Sequence, residues 1–169
     1  MQYIRGDIFR FNKEGKYIVI TTNGSLNKKE ECIMGKGLAL QAKRKFSTLP
    51  KDLGGLIKLN GNRVYISPKR RLITFPTKHE WSQPSDLLLI ERSLKQLVYI
   101  KSNFIPNEIV YISQLGCGNG KLLWKDIKPL MEKYLEGKGF VFVDMVEDNF
   151  EPVSTSYTEA LERLKNLKI

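Results

Sequence analysis

Runs of β-branched and aromatic residues recur along the chain at Tyr17–Thr22 (YIVITT), Arg63–Ser67 (RVYIS), Leu72–Phe75 (LITF), Glu108–Ser113 (EIVYIS) and Phe140–Val146 (FVFVDMV), and each predicts a strand. The segments between them carry helical spacing. Gly37–Phe46 brings Leu38, Leu40 and Ala42 near one another, and Ser85–Tyr99 separates its leucines from Glu91, Arg92 and Lys95 at about 3.6 residues per turn. Leu122–Leu135 and Tyr157–Leu167 repeat the pattern, the latter giving a short closing helix near 156–167 after the linker-like stretch Glu147–Ser156. Ser85, following Pro84, is the expected N-cap of the second helix, and Gly137 with Gly139 is expected to end the third. Strands alternating with helices predict an α/β fold in three layers, a mixed central sheet between helices, with residues 1–169 forming a single domain.

Composition narrows the partners. The chain has 169 residues, 41% hydrophobic and 27% charged, which suits one packed core. Its 28 basic and 18 acidic side chains leave a net charge of +10, which favours polyanions such as nucleic acid or a phosphorylated ligand. Lys28-Lys29, Lys43-Arg44-Lys45 and Lys69-Arg70-Arg71 supply much of this excess and are expected in or near elements that bound the binding cleft, where they could follow a single-stranded DNA backbone; an ordinary solvated face is the alternative. The N-terminus lacks a secretory pattern and no apolar run approaches the ~20 residues of a membrane span, so a cytoplasmic protein without membrane attachment is expected. Two distant cysteines, Cys32 and Cys117, and a single histidine, His79, make a poor ligand set, so no metal site or disulfide is expected. The same shortage excludes the zinc nucleotide deaminases.

Two glycine-bearing loops follow strands. The first contains Gly35 and Gly37 before a helix; the second contains Gly116, Gly118 and Gly120 before another. Amides that can approach a ligand closely, beside a helix N-terminus, suit a diphosphate, and two such loops could close on one ligand; tight strand-to-helix turns are the alternative. Neither loop contains GxxxxGK[ST] or completes GxGxxG, which removes the usual NTPase and Rossmann readings.

The order of Gly6-Asp7-Ile8, Asn23, Met34-Gly35-Lys36-Gly37-Leu38-Ala39, and Gly116-Cys117-Gly118-Asn119-Gly120 followed by Trp124 resembles the macro domains, the α/β modules that recognise ADP-ribose. Phe75-Pro76-Thr77-Lys78, with Trp81 and Pro84-Ser85, is similar to the branch of DNA ADP-ribosyl glycohydrolases, antitoxins that remove ADP-ribose from thymidine, and to the related terminal ADP-ribose protein glycohydrolases. The resemblance implies that Asp7 accepts from the adenine amine, that the Ile8 backbone reads the ring edge, and that Asn23 contacts the distal ribose; a helix cap and a turn asparagine are the plainer roles for Asp7 and Asn23. It implies further that both glycine loops hold diphosphate and ribose. Phe150, just beyond the last strand, is a candidate for stacking on adenine, with core packing the alternative.

By the same resemblance Lys78 is the catalytic residue. A neutral amine near the anomeric carbon can attack it or hold a ring-opened aldehyde as a Schiff base, and burial beside other cations favours that neutral form. Thr77, His79 and Trp81 are candidate substrate contacts, while Cys117 needs no reactive role. One departure stands out: the protein-directed branch has an aspartate in the second loop where this chain has Gly120. The implied activity is hydrolysis of an ADP-ribosyl bond on DNA or another target, with ADP-ribose as ligand or product, no cofactor, and a cognate ADP-ribosyltransferase toxin as partner. A non-catalytic ADP-ribose reader and an ADP-ribose-1''-phosphate phosphatase remain the alternatives.

Overall fold

A computed structural model describes residues 1–145. The expected closing helix near 156–167, the linker at 147–156 and Phe150 lie outside the described residues. The chain runs β1 (Gln2–Gly6), α1 (Ile8–Lys13), β2 (Tyr17–Asn23), α2 (Gly37–Lys45), α3 (Leu49–Asn60), β3 (Tyr65–Ser67), β4 (Leu72–Lys78), α4 (Leu87–Phe104), β5 (Val110–Ile112), α5 (Trp124–Leu135) and β6 (Phe140–Met145). The strands form one sheet in the order β1-β6-β5-β2-β4-β3, parallel throughout except for β3, which runs antiparallel to β4 at one edge.

Period-two alternation within β2 explains the layers. Tyr17 and Val19 join Ile73, Phe75, Ile112 and Phe142 in a core closed by Leu94 and Leu97 of α4 and Ile127 and Met131 of α5. Ile18 and Ile20 point the other way, into a second core with Leu72, Val143, Phe9 of α1, Ala39 and Ala42 of α2, and Leu53 of α3. With both faces covered, β2 reads as an unbroken apolar run, as parallel sheets require. The three-layer mixed architecture is therefore the one anticipated from the order of elements.

Boundaries move for identifiable reasons. Asp86, rather than Ser85, caps α4: its carboxylate accepts the Leu88 N–H at 2.9 Å, while the Ser85 N–H donates to the Gly120 carbonyl at 2.9 Å. α4 then continues through Phe104, burying Ile100 and Lys101 beyond the anticipated stop at Tyr99. At the other end of the set, α5 stops at Leu135, and Gly137 comes next but one with φ 68°. No helix among the described residues is long and apolar enough to cross a membrane.

Candidate functional site: a cleft at the strand ends

Because β6, β5, β2 and β4 are parallel, their C-terminal ends share one edge of the sheet, the position where open α/β sheets bind ligands. A cleft of about 960 Å³ lies there, near the upper end of the range for small-molecule sites. Asp144 and Met145 of β6, Ser113 and Gln114 after β5, Asn23 of β2, and Thr77 and Lys78 of β4 form its floor. Gly35–Ala39 and Gly116–Lys121 form facing walls, and Trp81–Ser85 closes the end beside Lys78. The walls converge: a Cβ on Gly37 would stand 3.6 Å from Asn119 Nδ2.

Local irregularity in β4 positions Lys78. The β2–β4 register runs Thr22↔Pro76 and then Asn23↔Lys78, so Thr77 is an extra residue on β4. Pro76 has no N–H to give the ladder, and an unpaired residue beside it bends the strand and redirects the residues after it. The Phe-Pro-Thr-Lys segment thereby brings Lys78 opposite Asn23. The Lys78 amine donates to the Asn119 carbonyl at 3.1 Å, with the Trp81 carbonyl at 3.5 Å on the other side. Burial, and then the positive charges of Lys36 and Lys121, hold this amine below the ordinary lysine range.

Among the described lining residues the cleft contains three lysines, Lys36, Lys78 and Lys121, against one carboxylate, Asp144. Asp144 sits on β6, three strand spacings or about 14 Å from β4, and it lies 3.9 Å from Arg5. Among the described residues no lining carboxylate therefore stands beside Lys78 to hold its proton. Gly120 explains why none comes from the second loop: a Cβ there would fall 2.2 Å from Ser85 Oγ and 3.1 Å from Ser85 Cβ, so Ser85 occupies the space a side chain at 120 would need. The Ser85 hydroxyl is buried without a protein hydrogen-bond partner.

The glycine loops present amides. Lys36, the N-cap of α2, offers no side-chain acceptor to the first helical turn, where Gly37, Leu38 and Ala39 line the cleft. Orphan N–H groups and the positive helix end make this an anion site. Opposite, Gly118 has φ 64° and is exposed, with nothing within 4 Å of an added Cβ. That backbone, favoured by glycine, turns the loop toward the cleft without a side chain in the way.

Several anticipated contacts take other positions. Asp7 caps α1, its carboxylate accepting the Phe9 N–H at 2.9 Å, and does not line the cleft; it comes directly after β1, at the edge where Gly6 pairs with Met145. Ile8 and Met34 are buried in the second core, leaving only their backbones for a ligand. Asn23 lines the cleft while also fastening the loop after it, accepting the Ser25 N–H and donating to the Ile33 carbonyl, each at 2.9 Å. His79 is outside the cleft lining; its Nε2 lies 2.7 Å from Asp86, tying the 79–86 loop to the start of α4. Trp81 stands at the rim, 56% exposed. Burial pushes the Cys117 thiol up to about 11, which disfavours the thiolate.

The basic clusters are the clear correction. None of Lys28-Lys29, Lys43–Lys45 or Lys69–Arg71 lines the cleft. Lys43–Lys45 form the last turn of α2, whose first turn is the one at the cleft, and Lys69–Arg71 precede β4, at the end of the strand away from Lys78. Arg70 is paired with Asp52, and Arg71 donates to Glu108 at 2.8 Å. The cleft cations are instead Lys36, Lys78 and Lys121. Sequence reasoning passes over Lys121 because nothing in its local pattern distinguishes it from the other lysines of a basic chain.

This fold, with two converging loops over parallel strand ends, defines a macro domain. No protein-family model matches the chain. It is 27% identical over 177 residues to a DNA ADP-ribosyl glycohydrolase of Thermus aquaticus, an alignment covering 98% of this chain and 45% of the relative. The macrodomain of Mycobacterium tuberculosis DarG superposes with a TM-score of 0.70 at 25% identity, covering 87% of this chain and 97% of that one. Thermosipho africanus DarTG in complex with ADP-ribose superposes with a TM-score of 0.67 at 24% identity, covering 95% of this chain and 46% of that one. The chain has the macro-domain fold and is similar to the DNA ADP-ribosyl glycohydrolases, and it spans less than half the length of the Thermus relative.

Proposed function

We propose that this chain hydrolyses the bond joining ADP-ribose to a thymidine base of DNA. The observation that carries the reading is the setting of Lys78, an amine drawn toward its neutral form by burial and two cations at the end of the cleft. ADP-ribose would lie along the strand ends, adenine toward Asp7 and Ile8, diphosphate between the α2 N-terminus and Gly118, and distal ribose toward Asn23 and Lys78. The lone pair of the neutral Lys78 amine then forms a bond to the anomeric carbon. The glycosidic electron pair leaves with the base, which takes up the proton released by the new ammonium. Water adds to the same carbon and restores the amine, giving free ADP-ribose and unmodified DNA.

Support for the substrate comes from the relatives' names, and a DNA ADP-ribosyltransferase is the partner whose product such a site would remove. A single-stranded oligonucleotide carrying ADP-ribosyl-thymidine tests the reading: folded protein should release ADP-ribose, and absence of release contradicts it. Ser85 filling the space beside Gly120 favours one further reading, a binding module that holds ADP-ribose without turnover, because the acid/base carboxylate has no room. Binding without release from DNA or protein substrates would establish it. Phosphate release from ADP-ribose-1''-phosphate, measured in parallel, separates a phosphatase from both.

A further inference from the structure

We infer that Lys121 and Trp81 form a subsite for the DNA strand flanking the modified nucleotide, with Lys121 taking a phosphodiester and Trp81 stacking on a neighbouring base. The inference rests on the proposed DNA substrate and adds where the strand runs. If ADP-ribose fills the cleft from β6 toward β4, the acceptor base must lie beyond Lys78, at the end closed by the 81–85 loop and the 118–121 loop. Those loops bracket the Lys78 amine, which lies between the Trp81 and Asn119 carbonyls at 3.5 and 3.1 Å.

Each loop presents one group suited to a nucleic-acid strand. Trp81 lines the cleft mouth and at 56% exposure its ring is not packed beneath the loop, while its backbone N–H donates to Ser25 Oγ at 2.9 Å and ties the loop main chain at the rim. Exposed aromatics beside cations are the common means of holding single strands, through base stacking and phosphate contact. Lys121 comes directly after the 3-10 turn Gly118–Gly120, at φ 63° and ψ 8°, its N–H donating to the Gly118 carbonyl at 2.9 Å. Among the described residues Glu30, Arg71 and Lys121 are the non-glycine residues with positive φ, and of these Lys121 alone lines the cleft. A long cationic side chain kept in a conformation that favours glycine, at the site, is the kind of local cost that function accounts for. The larger basic clusters point elsewhere, so this short cationic and aromatic bracket is the strand contact the geometry offers.

The test compares two substrates, an oligonucleotide with ADP-ribosyl-thymidine at its centre and the ADP-ribosyl-thymidine nucleoside, which lacks flanking phosphates and bases. Lys121→Gly removes the charge and suits the local backbone, so it should fold; Lys121→Arg keeps the charge. For Lys121→Gly and for Trp81→Ala the ratio of kcat/KM on the oligonucleotide to that on the nucleoside should fall at least about five-fold. Lys121→Arg should restore the ratio, and Lys121→Gly should reduce the salt slope for the oligonucleotide by about one. An unchanged ratio in both variants overturns the subsite. Failure of the parent protein to cleave either substrate overturns the hydrolase reading instead, and the same ratio is then read from the affinities of the two uncleaved ligands.

Discussion

The Lys78 amine and the Asn119 carbonyl meet at 3.1 Å across the gap between the end of β4 and the second glycine loop. This contact joins the strand that carries the proposed reactive group to the loop proposed to face the diphosphate. A neutral amine keeps that hydrogen bond through one N–H and still has a lone pair for the anomeric carbon. The arrangement therefore fixes the direction of the side chain without consuming its reactivity.

In the proposed reaction Lys78 acts in its unprotonated form, so cleavage should rise with pH as the amine loses its proton. Burial, with Lys36 and Lys121 adding to it, lowers that pKa from the ordinary 10.5, which moves the limb to lower pH than a free lysine would give. Removing the two cations in Lys36→Ala/Lys121→Ala should move the limb upward. Single-turnover rates as a function of pH measure both, and a limb that stays in place would show that these charges do not tune the amine.

Gly118→Glu should abolish tight ADP-ribose binding while leaving a folded protein. The new Cβ meets no heavy atom within 4 Å, but φ is 64°, so strain of about 1 kcal/mol and a Tm loss of about 2–4 °C are expected. The carboxylate enters the space proposed for a diphosphate, and like-charge repulsion should weaken affinity at least ten-fold, about 1.4 kcal/mol. Calorimetric titration at two salt concentrations checks this, because repulsion eases as ionic strength rises.

Gly120 and Ser85 should behave as one unit. Gly120→Asp drives a Cβ to 2.2 Å from Ser85 Oγ and should destabilise the fold; Ser85→Gly opens that space, so the double variant should recover much of the loss. A double-mutant cycle of unfolding free energies should give a coupling of roughly 0.5–3 kcal/mol. Additive effects would mean that the two residues do not compete for the same volume.

The chain order shows the layers, because β2 and β6 are buried on both faces and appear as apolar runs. It conceals β1, a short edge strand whose Gln2 and Arg5 are exposed, and α1, which has only six residues. α3 is hidden by Gly54 and Gly55, which look like loop residues inside LPKDLGGLIKLN. In the site, the Phe-Pro-Thr-Lys segment announces Lys78, and both glycine loops converge as their positions suggest. The Thr77 bulge that places Lys78 opposite Asn23 is a register property, invisible in a linear pattern. Ser85 and Asp86 compete for the cap of α4 because both residue types cap helices; only the Ser85–Gly120 backbone hydrogen bond, formed across 35 positions of sequence, decides between them.

Lys78→Ala tests the central claim most directly. In the proposed reaction the amine acts along the reaction path and not in holding bound ADP-ribose, so affinity measured by calorimetry should stay within about three-fold of the parent. On the ADP-ribosylated oligonucleotide, ADP-ribose release should fall by about three orders of magnitude, in protein whose thermal unfolding is unchanged. Release at the parent rate by this variant would contradict the assignment of Lys78 as the catalytic group.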